Sequence, residues 1–138
     1  MQQLPLNVPF QRLMGFTIPR NGEFFVCDDN ECWSVRLGIV PEVSEIDGSP
    51  YDLARRPDFV GAFGAHCNGL LHAGEAEIDY RFDNEESVEV GYRWGEKTGS
   101  VSFRLNSGDW FAPSLSEDGA YAILAEPDTL NAYAVYVR

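Results

Sequence analysis

From Ala76 to Phe82 the chain reads Ala-Glu-Ile-Asp-Tyr-Arg-Phe, with an apolar residue at every second position and a charge between each pair. A period of two matches the pleat of a β-strand, whose successive side chains point to opposite faces, and cannot make the stripe of a helix. The pattern returns in Val88, Val90, Tyr92 and Trp94, with Glu89 and Arg93 between, and again in Val101, Phe103 and Leu105. Turn-forming clusters at 83–87, 96–100 and 106–109 separate these runs. Upstream, Phe10–Ile18, Phe24–Cys27 and Cys32–Val40 read as three further strands. Downstream, Ala120–Ala125 and Ala132–Val137 are apolar at both parities, the mark of strands covered on both faces. Helix signals are confined to Ser49–Arg56, where a Ser cap and Pro at the first helical position precede two arginines and a terminating Pro57.

Asn68-Gly69 supplies the residues that a type I′ hairpin turn needs at its two positive-φ positions. A two-residue loop there pairs Cys67 with Leu70 and Ala65 with His72, which fixes the faces. One face, taken as the interior, carries Phe59, Phe63, Cys67, Leu70, His72, Ile78, Tyr80 and Phe82. The other carries Glu75, Glu77, Asp79, Arg81 and Asp83. So many consecutive strands with short connections predict a single all-β domain spanning residues 1–138. It would be an antiparallel meander closing into a small β-barrel, with a two-sheet sandwich as the alternative and one short helix near 50–56. Glycines inside strands, such as Gly61, Gly74 and Gly91, suit the coiling that closure needs.

Charge narrows the partners. With 10 Lys and Arg against 22 Asp and Glu the formal charge is −12, which disfavours both nucleic-acid phosphates and anionic membranes. Aromatic residues at 13% are too many for a disordered chain. The first sixteen residues carry no signal-peptide pattern and no window is apolar enough to span a bilayer, so a cytoplasmic protein is expected. Three cysteines argue against a disulfide framework.

The chemistry-bearing residues are few. Cys27-x4-Cys32 and Cys67-x4-His72 have the residue types of a zinc site, but alternation puts the first pair and the second on different faces, so no metal and no cofactor is expected. A disulfide between Cys27 and Cys32 and a Cys67–His72 nucleophile pair are weaker alternatives, the latter lacking an orienting carboxylate. An enzyme is therefore not the favoured reading. The leading expectation is a non-enzymatic binder of a small apolar or aromatic molecule, with Phe63, His72, Tyr80, Tyr92, Trp94 and Phe103 lining the interior. The alternative is an interaction module, of the inhibitor, immunity or adaptor type. It would use Glu75, Glu77 and Asp79 on the acidic 75–89 hairpin to dock a basic protein.

Gly108-Asp109-Trp110-Phe111-Ala112-Pro113 is similar to the second conserved box of the cupin family, a Gly-Asp turn with a proline a few residues on. The resemblance covers six residues and implies a β-barrel, yet the metal-binding histidine that cupins place after that proline is missing from Ser114–Tyr121. The size and the terminal strand also look loosely like the calycin group of lipid-binding barrels.

Overall fold

The computed structural model describes residues 1–62 and 68–135. In chain order the elements are β1 (Gln2–Gln3), β2 (Gly15–Thr17), β3 (Glu23–Cys27), β4 (Cys32–Arg36), β5 (Glu42–Ile46), α1 (Pro50–Ala54), β6 (Phe59–Gly61), β7 (His72–Ala73), β8 (Ala76–Asn84), β9 (Ser87–Trp94), β10 (Lys97–Arg104), β11 (Ala112–Leu115), β12 (Tyr121–Glu126) and β13 (Thr129–Ala134). They form three sheets, ordered β1-β13-β12-β11, β5-β4-β3-β2-β6 and β10-β9-β8-β7, and all their pairings are antiparallel. Among the described residues no helix is long and apolar enough to cross a membrane.

The expected all-β class is correct, but no sheet among the described residues closes into a barrel. The reason lies in the strands that are apolar at both parities. Register pairs Ile123 with Ala132 and Ala125 with Leu130 on one face of the β1-β13-β12-β11 sheet, and Ala122 with Tyr133 on the other. The first face packs with Phe16, Phe24, Val26, Trp33 and Val35 of the β5-to-β6 sheet. The second packs with Ala76, Ile78, Val88, Val90 and Phe103 of the β10-to-β7 sheet. A barrel strand has one face inside and one outside, whereas these strands bury both, so the sheet they form is the middle of three layers. Its edge strand β11 contains Pro113, which an edge accommodates because no neighbour needs the missing N–H.

The turns decide the register. A type I′ turn occurs at the other Asn-Gly dipeptide: Asn21 and Gly22 have φ of 54° and 74°, and Arg20 and Glu23 exchange both backbone hydrogen bonds, at 2.9 and 3.1 Å. At Asn68-Gly69 the glycine is left-handed, with φ 82°. The strand expected before this turn, 63–67, lies outside the described residues; after it, Leu115 donates to the Leu70 carbonyl at 2.7 Å and Ile78 to that of Leu71 at 2.9 Å, so residues 70–71 bridge β11 and β8. A Cβ on Gly69 would sit 2.3 Å from the Pro113 carbonyl oxygen, so this crossing admits only glycine. The hairpin before β8 turns instead at Gly74-Glu75, with Ala73 paired to Ala76 and His72 to Glu77. His72 is consequently exposed on a two-residue strand, not on the inner face.

The short helix ends at Ala54, two residues before the expected Arg56, and its Ser49 makes no side-chain cap. Leu53 and Ala54 of α1 pack on Met14, Cys27, Cys32 and Phe59, forming a third apolar cluster. Cys27 and Cys32 do lie on the face opposite Phe24, Val26, Trp33 and Val35, as alternation requires, but α1 covers them and they are 0% and 2% exposed.

Candidate docking face

The sheet of β7–β10 holds most of the residues that the sequence singles out. Its register aligns Tyr80, Val90 and Val101 in one row, Phe82, Val88 and Phe103 in the next, and Ile78, Tyr92 and Gly99 on the other side. These are the positions that alternation assigns to one face. The Tyr92 ring lies over Gly99, where a Cβ would meet its hydroxyl at 2.4 Å.

Burial divides this face into two parts. Ala76, Ile78, Val88, Val90 and Phe103 are covered by the middle sheet, and Tyr92 and Trp94 are partly buried beside them. Beyond Ile78, β8 leaves the core: every residue from Asp79 to Asn84 is exposed, including Tyr80 at 42% and Phe82 at 56%. Phe111 joins them from the loop before β11. Its ring lies 5.3 Å from that of Tyr80, 6.2 Å from Phe82 and 5.4 Å from buried Phe103. Tyr80 and Phe82 meet edge to face at 5.9 Å. Stacking of this kind adds roughly 0.5–1.5 kcal/mol per pair beyond area burial, enough to hold the rings in place without removing them from water. The result is an aromatic ridge running from core to solvent.

A buried carboxylate fixes the loop that presents Phe111. Glu126, 0% exposed, accepts from the Asn106 and Ser107 amides at 2.7 and 2.9 Å and also from the Asp128 amide. With its oxygens satisfied by backbone donors, it organises the β10–β11 and β12–β13 turns together. A cleft of about 640 Å³ opens at this end of the sheet, walled by Phe82, Glu85, Glu86, Arg104 and Leu105.

The opposite face of the hairpin is less uniformly acidic than the sequence of β8 alone indicates. Glu77 pairs with Arg93 directly across the strands, Arg81 lies opposite Glu89 and bonds Asp83, and Arg104 joins the same parity from β10. Asp79 extends over Gly91, its carboxylate filling the space of the missing side chain. Glu75 sits exposed in the Gly74-Glu75 turn. Two further acids without an ion pair among the described residues, Glu85 and Glu86, lie at the tip in the β8–β9 turn beside Phe82.

Of the six residues expected to line an interior, Phe103, Tyr92 and Trp94 share the packed cluster against the middle sheet, Tyr80 reaches the surface, His72 lies exposed on β7, and Phe63 falls outside the described residues. Cys67 also falls outside them. Phe111 is the functional candidate that sequence reasoning missed; its signal, the Trp110-Phe111 pair inside a turn, was absorbed by the cupin-like box. Among the described residues no group of three His, Cys, Asp or Glu side chains could hold a metal ion. Compared with protein-family models, curated proteins and solved structures, the chain matches none.

Proposed function

We propose that this protein is a non-enzymatic interaction module that docks a basic protein partner through the tip of its β8–β9 hairpin. The observation that carries the reading is the exposure of Tyr80 and Phe82 beside Phe111, bordered by Glu85 and Glu86. Exposed aromatic rings at the rim of a core are what an interface anchor needs, and the carboxylates around them suit Lys or Arg at its edge. The net charge of −12 adds long-range attraction for the same partner. The other reading, an aromatic-lined site for a small apolar molecule within a barrel, draws support only from Tyr92, Trp94 and Phe103 sharing one face.

A labelled peptide alternating Lys with Leu tests the proposal by fluorescence anisotropy, beside Lys-Ser and Glu-Leu counterparts. The Lys-Leu peptide should bind best, lose affinity as salt rises, and be weakened both by Phe82→Ser and by Glu85→Lys with Glu86→Lys. Equal binding of the Lys-Ser peptide, or indifference to Phe82→Ser, would refute docking at this ridge and leave only general attraction to an acidic protein.

A further inference from the structure

Three of the nine arginines line a cleft of about 610 Å³ that shares no residue with the aromatic ridge, although the protein is strongly acidic. It opens on the outward side of the β5-to-β6 sheet, where Phe25 and Arg36 stand at the parity opposite Phe24 and Val35, which pack on the middle sheet. The Asn21-Gly22 turn positions Arg20 on one wall, and β4 supplies Arg36. Arg56, just after α1, closes the other side with its guanidinium 5.4 Å over the Phe25 ring. Buried Thr17 fixes the floor, its Oγ1 accepting the Phe25 amide at 2.9 Å.

The guanidinium groups are not equally engaged. Arg56 grips Asp58 with Nε and one terminal nitrogen, at 3.0 and 2.9 Å, and Arg20 does the same with Glu117, at 2.7 Å. Among the described residues the second terminal nitrogen of each has no partner, which leaves it for another acceptor. Arg36 has no ion-pair partner within 4 Å among the described residues, although Glu23 and Glu42 flank it in register. Two guanidiniums are therefore held in place by their carboxylates and one is available in full, which is the division of labour that a planar oxyanion needs.

We propose that this cleft binds a small molecule through a phosphate or carboxylate group, held bidentately by Arg36 and supported by Arg20 and Arg56. Glu23 and Asp58 lie in the same cleft and oppose a loosely held anion, so recognition requires the direct Arg36 contact and not merely a positive field. The volume exceeds that of a bare ion and leaves room for an attached organic body.

Amide-resolved NMR titration with inorganic phosphate, phenyl phosphate and benzoate tests this and separates the two oxyanion classes. Saturable shifts should appear at Thr17, Gly22, Phe25 and Leu37, with phenyl phosphate or benzoate ahead of inorganic phosphate. Arg36→Gln should weaken binding about tenfold or more, the range expected for losing a charged hydrogen-bond donor pair, and Arg36→Lys should recover part of it. Because Arg36 is exposed, the variant should keep the wild-type spectrum elsewhere. Absence of saturable shifts with all three probes, shifts centred on other residues, or unchanged affinity in Arg36→Gln would each overturn the proposal.

Discussion

The three-layer packing makes a demand on two adjacent residues. Ile123 and Leu124 are both fully buried, yet they face opposite layers, Ile123 toward the sheet of Phe24 and Trp33 and Leu124 toward that of Ile78 and Val90. Leu124→Ala removes three carbons from water-free packing, about 2.4 kcal/mol at roughly 0.8 kcal/mol per group. The unfilled cavity brings the cost to about 3–5 kcal/mol. Ile123→Ala should cost a similar amount, and because the two side chains touch different layers the double variant should be additive within about 0.5 kcal/mol. By contrast Phe82→Ala, with 56% of the residue already in water, should cost at most about 1 kcal/mol. Urea denaturation followed by tryptophan fluorescence gives all four values, and a melting shift of about 10 °C per core variant provides a second readout. A full-sized loss at one of the two positions with less than about 1 kcal/mol at the other would mean that the middle sheet has an open face, and the layered account would fall.

Two other outcomes follow from local geometry. Gly22→Ala meets no atom within 4 Å and should lose only the left-handed strain, about 1 kcal/mol, whereas Gly69→Ala drives a Cβ to 2.3 Å from the Pro113 carbonyl oxygen and should lose at least about 2 kcal/mol; equal losses in denaturation would contradict the crossing at Gly69. Burial beneath α1, then the proximity of Cys32 and Asp28, pushes the Cys27 thiol from its ordinary value of 9.0 up to about 12. Its folded form holds the proton more tightly than the unfolded chain, so its contribution is fully present below about pH 9 and is lost as pH rises toward 12. Stability of Cys27→Ala should fall less steeply above pH 9 than that of the wild type, and identical slopes would refute the assignment.

Period-two alternation was sufficient for the hairpin sheet, because register within a hairpin depends on local turns and on which parity is apolar. Ala76, Ile78, Tyr80 and Phe82 share a face with Val88, Val90 and Phe103 as their spacing requires. The same reasoning misplaced His72, since the hairpin that holds it turns at Gly74-Glu75 and the Leu70 carbonyl is taken by β11, contacts that the alternation of 70–82 does not signal. It also passed over β5, whose polar Glu42-Val43-Ser44-Glu45-Ile46 alternates weakly, and β11, where Pro113 argues against a strand unless its edge position is known. Phe111 and Glu126 acquired their roles from residues some distance away in the chain, so no local pattern pointed to them.

The sequence by itself determined that the chain is built of antiparallel strands, that its acids crowd one hairpin, and that its late strands must be covered on both faces. Those properties are written in side-chain parity and composition, which act over a few residues. Tertiary structure alone decided that the covering is a three-layer stack, that the aromatic ridge emerges at Tyr80 and Phe82, and that Arg20, Arg36 and Arg56 meet in one cleft. These depend on which sheet packs on which, an outcome of total apolar area removed from water and not of any local signal.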